Sequence, residues 1–230
     1  LIECALDGGV RHFVFSSTAA VYGQPETGVC AEDSALAPIN PYGTSKLMTE
    51  WMLRDVCAVN DMSHVTLRYF NVAGSDPEGR IGQSTAKATL LTKVACEAAV
   101  GKRDKLFIFG TDYDTPDGTG VRDYIHVEDL ATAHLDALTY LRGGGESTTL
   151  NCGYGHGFSV REVLAAVERA HGKTLPIEEG PRRAGDPAML IAKCDRARQT
   201  LGWTPRYDDL DQIVTTSLNW EKRLLDHPVD

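Results

Sequence analysis

Three segments near the start of the chain constrain its fold more than anything else in it. His12-Phe13-Val14-Phe15 is a short apolar run, residues 42–59 read as a helix preceded by Pro41, and His64-Val65-Thr66-Leu67-Arg68-Tyr69-Phe70 is a second extended run. Short, continuously apolar runs belong to strands buried on both faces of a parallel sheet. Strand, helix and strand in that order form a βαβ unit with a right-handed crossover, so the fold class is α/β. The first run ends in Ser16-Ser17-Thr18. Hydroxyls at the carboxyl end of a buried strand sit where open α/β sheets place their ligands.

The rest of the chain continues the alternation. Residues 1–6 read as the end of a helix stopped at Gly8-Gly9, and residues 23–41 as loop. A loop at 75–89 leads into a helix from about Ala88 to Val100. Strands are expected at 105–110, 121–127 and 149–153, with an acidic loop at 112–120. Glu128 or Asp129 favours the positive start of a helix at 128–142. Ser159-Val160-Arg161-Glu162 is a capping box that opens a helix to His171, stopped by Gly172. An extended segment starts at 175–177, and Arg182-Arg183-Ala184-Gly185-Asp186-Pro187 reads as a basic turn. Asp195 is expected to cap a helix at 196–201, and Asp208 or Asp209 a last one to about Leu225.

Tyr42 and Lys46 stand four residues apart at the start of the first long helix. That spacing puts both on one face, one turn apart. A cation so placed favours the phenolate, and a phenol tuned this way works as an acid or base near neutral pH.

Composition narrows the function classes. Hydrophobic residues make up 42% and charged residues 24%, enough to bury a sizeable core. The net charge of −9 argues against nucleic acid and anionic membranes as partners. The six cysteines, Cys4, Cys30, Cys57, Cys96, Cys152 and Cys194, are scattered without a C-x-x-C pair. That usage points to reduced thiols and a cytoplasmic setting, with no metal site. No apolar run approaches a membrane span, and no signal-peptide pattern is present.

Five motifs occur in order: Ser16-Ser17-Thr18-Ala19-Ala20-Val21-Tyr22-Gly23, Pro41-Tyr42-Gly43-Thr44-Ser45-Lys46, Arg68-Tyr69-Phe70-Asn71, Gly118-Thr119-Gly120-Val121-Arg122-Asp123-Tyr124-Ile125-His126-Val127 and Arg182-Arg183-Ala184-Gly185-Asp186. Over essentially its whole length the chain resembles the extended short-chain dehydrogenases/reductases of the NAD-dependent epimerase/dehydratase family, most closely their UDP-sugar 4-epimerases. The resemblance implies the C-terminal portion of a Rossmann-type doubly wound parallel sheet plus a smaller α/β substrate domain. Residues 1–158 would be the remaining part of the NAD-binding domain, with a substrate-domain excursion at about 76–120, and 159–230 mainly the UDP-sugar domain.

The resemblance also implies an activity, the interconversion of UDP-glucose and UDP-galactose through a 4-keto sugar with NAD as resident cofactor. Tyr42 would be the acid/base on the sugar O4, Lys46 would bind the nicotinamide ribose, and Thr18 would assist proton transfer. Phe70 would border the nicotinamide. Asn71, Arg122 and Arg183 would hold the diphosphate, a task suited to the planar guanidinium fork. Asp186 would bind the uridine ribose, Leu91 and Leu190 would line the substrate side, and Phe107 and Phe109 would flank the uracil. Alternation of faces along a strand is expected to leave one of these two rings in the core. Leu90 stands where many members carry His or Asn, so one polar contact would be missing. A homodimer is the implied assembly of the complete protein.

Two departures matter. No G-x-x-G-x-x-G stretch occurs in the 230 residues, so the segment that seats the pyrophosphate in the family is expected to be missing from this chain. An exposed apolar sheet edge and weak NAD binding by the chain alone are the expected results. Second, Thr18 is followed by Ala19-Ala20, whereas the dehydratases of the family need an Asp-Glu pair there. A 4-epimerase of UDP-glucuronate or UDP-pentoses, and an inactive UDP-sugar-binding fragment, remain the alternatives.

Overall fold

The computed structural model describes residues 1–85 and 87–227, so the expected loop at 75–89 is described except at residue 86. Helix α1 (Ile2–Asp7) leads into β1 (His12–Ser16), a single 3-10 turn (Ala19–Tyr22), β2 (Val29–Cys30) and α2 (Pro41–Cys57). Then come β3 (Ser63–Tyr69), β4 (Asn71–Ala73), α3 (Leu91–Ala99), β5 (Leu106–Phe109), β6 (Val121–Arg122) and β7 (Tyr124–His126). Helix α4 (Val127–Arg142), β8 (Thr148–Cys152), β9 (Phe158–Ser159) and α5 (Val160–His171) follow. The chain closes with β10 (Ile177–Gly180), β11 (Met189–Ala192), α6 (Asp195–Leu201) and α7 (Leu210–Asp226).

The expected βαβ unit is present. Strands β1, β3 and β8 form a parallel sheet in that order, with Val14 opposite Val65 and Leu67 opposite Leu150. The central strand is buried, while β1 lies at the edge and all five of its residues are half-buried. One face of β3 presents Val65 and Leu67 to α4, where Ala133, Ala137 and Leu141 complete the core. The opposite face presents His64, Thr66 and Arg68 toward α2, polar residues where a two-sided parallel sheet ordinarily carries apolar ones. A helical layer of α3, α5 and α7 packs beside the sheet through Cys96, Val163, Leu164, Ile213 and Leu218. Burying one such Leu or Ile contributes roughly 1.5–3 kcal/mol.

Several element boundaries differ from the sequence reading. The single strand expected at 121–127 is two strands serving two sheets: β6 joins β11 and β9, and β7 joins β4. Asp123 sits at the break, and its buried carboxylate accepts from the main-chain N–H groups of Tyr154, Gly155 and Ala192. That cluster of donors holds the chain where it turns from one sheet to the other. Strand β2 lies in a segment read as loop and β11 in one left without an assignment, because two- and four-residue runs carry too little periodicity to announce themselves. Helix α3 starts at Leu91 rather than near residue 88, and α6 is capped by Cys194 without a side-chain bond, so Asp195 is its first residue and not its cap. The Ser159–Glu162 capping box and the Asp209 cap of α7 are formed as read.

Candidate active site

The site grows from the carboxyl ends of β1 and β3. Thr18 stands two residues beyond the end of β1 and caps the 3-10 turn, its Oγ1 accepting from Ala20 N–H at 3.1 Å. The hydroxyl hydrogen of Thr18 is thereby left to donate elsewhere. Helix α2 starts beside this turn. Asn40 caps it, Oδ1 accepting from Gly43 N–H at 2.8 Å, and Pro41 occupies its first position, where a missing N–H costs nothing. Gly43 faces the turn so closely that a Cβ there would lie 2.6 Å from the Ala20 carbonyl oxygen. Only glycine permits this approach of backbone to backbone.

The approach sets the placement of Tyr42 and Lys46. Lys46 donates to the Ser16 carbonyl at 2.9 Å, and its ammonium lies 5.1 Å from the Phe15 ring centroid and 5.8 Å from that of Tyr42. Tyr42 is half exposed, accessible to a ligand. Its neighbour is Tyr69, which the sequence reading missed. Burial raises the Tyr69 phenol, and the Tyr42 phenol raises it further through charge and hydrogen bonding. The signal was available: Tyr69 is the last residue of a strand whose carboxyl end forms the site.

An open cleft of about 200 Å³ begins at Thr18 and Tyr69. Phe70, Asn71, Arg122, Asp186 and Leu190 are in its wall, as are Ala19 and Ala20. Arg122 is mostly enclosed, with Nη1 donating to the Val121 carbonyl at 2.9 Å. Burial pulls its guanidinium below its ordinary value, and the Asp186 carboxylate works against that pull. Asp186 in turn accepts from Arg183 Nε at 2.8 Å, and the Arg183 guanidinium lies 5.0 Å from the Phe109 ring centroid.

The strip continues along β5. Leu106 and Ile108 are buried, whereas Phe107 and Phe109 are both exposed, with centroids 5.9 Å apart. The expectation that one ring enters the core is corrected: residues two apart share a face, and this face is the open one. Lys105 lies 5.2 Å from the Phe107 centroid, so cations accompany both rings. Leu91 packs against the main core, and Leu90 lines a different cleft with Trp220 and Lys93. All six cysteines are free, and no metal-binding cluster is found among the described residues. No helix among them is long and apolar enough to cross a membrane.

The likenesses to known proteins fit this arrangement. A model of the NAD dependent epimerase/dehydratase family matches residues 1–153. The chain is 57% identical over 224 residues to a UDP-glucose 4-epimerase of Azospirillum brasilense, which covers 97% of this chain and 64% of that protein. A crystal structure of a UDP-glucose 4-epimerase superposes with a TM-score of 0.96 at 42% identity, over 100% of this chain and 70% of that one. The UDP-glucose 4-epimerase of Bifidobacterium longum, solved in complex with NAD+ and UDP, gives a TM-score of 0.90 at 39% identity, over 97% of this chain and 67% of that one. The chain thus spans about two thirds of the length of these relatives. With a tyrosine and a lysine one helical turn apart beside a strand-end threonine, and with a matching family model over its first 153 residues, the chain belongs to the NAD dependent epimerase/dehydratase family.

Proposed function

We propose that the protein to which this chain belongs is a UDP-glucose 4-epimerase, inverting C4 of UDP-glucose and UDP-galactose. The observation that carries the reading is the grouping of Thr18, Tyr42 and Lys46 around one strand end, with a cleft leading from it to Arg122 and Asp186. The side chains after Thr18 are those of Ala19 and Ala20, both in the cleft wall, so no carboxyl group stands there to eliminate water. This favours epimerisation over dehydration.

The residues present fit the nicotinamide half of NAD. The Lys46 ammonium, the half-exposed Tyr42 and the buried Phe70 gather at the carboxyl ends of parallel strands, the ordinary position of such a ligand. When bound, the nicotinamide supplies a hydride acceptor and donor for C4. Tyr42 takes the O4 proton, and Lys46 holds the nicotinamide ribose. Thr18, with its own oxygen occupied by Ala20 N–H, donates to O4 and holds it against Tyr42. Asn71, Arg122 and Arg183 meet the diphosphate, Asp186 the ribose, and the Phe107–Phe109 face the uracil. Leu190, and Leu91 more remotely, bound the substrate side.

A second copy of the chain is the proposed partner, on the side of α2 where Met48 and Met52 are exposed. The proposed setting is cytoplasmic, in galactose metabolism. The test is to incubate the full-length gene product with UDP-galactose and follow products by chromatography. UDP-glucose without net NADH is expected. A 4-keto-6-deoxy product, or no isomer, overturns the reading.

A further inference from the structure

Tyr42 and Lys46 have a third residue on their helix face. Glu50 follows one turn later, and it is buried although ionisable, with 6% of its surface exposed. Its partner is Arg68 on β3, 5% exposed. Arg68 Nη2 donates to Glu50 Oε2 at 2.7 Å, and Nε bridges Oε1 and Oε2 at 3.1 and 3.2 Å. The remaining acceptor capacity of Oε1 is met by the Ser17 hydroxyl. Helix α2 therefore grips two consecutive residues where β1 ends: Lys46 holds the Ser16 carbonyl and Glu50 the Ser17 side chain. Thr18 comes next in the chain.

Arg68 reaches the other side of Thr18 as well. Its Nη1 donates to the Tyr22 hydroxyl at 3.0 Å and to the Glu32 carbonyl at 3.2 Å. Tyr22 donates onward to Asn151 Oδ1 at 2.6 Å. Tyr22 ends the 3-10 turn that Thr18 begins. One guanidinium thus ties the helix carrying Tyr42 to the turn carrying Thr18. Burial works against its charge, but Glu50 and Tyr22 outweigh burial and keep the cation. A buried ion pair adds little net stability over an apolar pair of the same volume, so stability alone gives no reason for this one. A rigid, bidentate fork does fix geometry.

We propose that Glu50 and Arg68 are positioning residues that set the placement of Tyr42 against Thr18 for the O4 proton transfer, an inference that rests on the epimerase reading above. Neither residue touches the substrate cleft; each acts through α2 and the turn.

The pair also floors a separate open cavity of about 360 Å³, lined in part by Trp51, Arg54 and His64, through which a small cation can reach Glu50. The test uses the full-length gene product with Glu50→Gln, Arg68→Lys and Arg68→Ala. A misplacement of about 1 Å can cost about 10²-fold, so kcat of Glu50→Gln and Arg68→Lys is expected to fall by roughly 10–10²-fold. The KM for the UDP-sugar and the calorimetric Kd for UDP are expected to stay within about twofold, because Arg122, Arg183 and Asp186 stand on other elements. Guanidinium ion at non-denaturing concentration is expected to restore kcat to Arg68→Ala, with sodium chloride at equal ionic strength as the control. An unchanged kcat per folded molecule, a KM that rises in step with the loss, or a loss that guanidinium leaves untouched overturns the proposal. A wild type without isomerase activity is a failure of the epimerase reading instead. In that event the Thr18 methyl and Tyr42 ring resonances decide: they move in folded Glu50→Gln if the pair positions them, and unchanged resonances overturn it.

Discussion

Lys46 donates to the main-chain carbonyl of Ser16 at 2.9 Å. A side chain of α2 is therefore bound to the last residue of β1, and Tyr42 one turn earlier inherits that placement. The link is to backbone, so no substitution of the Ser16 side chain removes it.

Tyr42→Phe tests the chemistry on this frame. It removes the hydroxyl proposed to carry the O4 proton and leaves the ring, the Lys46 bond and the helix in place. Removing a general acid or base costs about 10²–10⁴-fold in turnover, and that loss is expected in kcat with an unchanged circular dichroism spectrum. Near-normal turnover in a folded variant would show that another residue handles the proton.

Gly43→Ala tests the close approach. The added methyl meets the Ala20 carbonyl oxygen at 2.6 Å, and neither side of that contact is a flexible side chain. Forcing extra volume into such a contact costs about 1–3 kcal/mol, to be read as a lower urea midpoint. Turnover is expected to drop too, since α2 must move away from Thr18. An unchanged midpoint would mean that the helix start is free to shift.

Stability is expected to fall with mild acid. Burial holds the His64 and His126 imidazoles below their ordinary value of 6.5. In the unfolded chain each takes up a proton near that value, so below it the unfolded state binds more protons than the folded one. Their contribution is present above 6.5 and is lost as pH drops below it. Melting temperature is therefore expected to decline between about pH 7 and 5.5, and less steeply in His64→Gln. Parallel slopes for the two proteins would remove His64 from the account.

Ligand preference is the fourth expectation. The purified 230-residue chain carries Arg122, Arg183 and Asp186 but no Gly-rich dinucleotide fingerprint. Calorimetry is expected to show UDP binding more tightly than NAD. Arg183→Gln removes the cation proposed to meet the diphosphate, and a hydrogen bond to a charged ligand group is worth about 1.5–3 kcal/mol, so UDP affinity is expected to fall roughly 10–100-fold. Micromolar NAD binding by the folded chain would reveal a dinucleotide seat elsewhere.

Much of this was readable from residue order alone. The β1–α2–β3 unit declares itself through one apolar run, one extended run and Pro41, and the Tyr42–Lys46 spacing needs only helical geometry. Short strands such as β2 do not, because pairing across distant sequence, not local pattern, makes them strands. Glu50 was illegible for a different reason: a carboxylate on a long helix reads as a solvated face until Arg68 is seen opposite it. Asp123 likewise looks like part of one strand, and only its three backbone donors explain why the strand breaks there.

The half-buried edge strand β1 has a consequence for the molecule in solution. Its outer side pairs with no strand among the described residues, and an open row of N–H and C=O groups is a template for another chain. What opposes that encounter is mutual repulsion between copies carrying a net charge of −9. Repulsion of this kind is screened beyond about 8 Å at physiological ionic strength. Rising salt is thus expected to favour edge-to-edge pairing between copies of the isolated chain, and low ionic strength to oppose it.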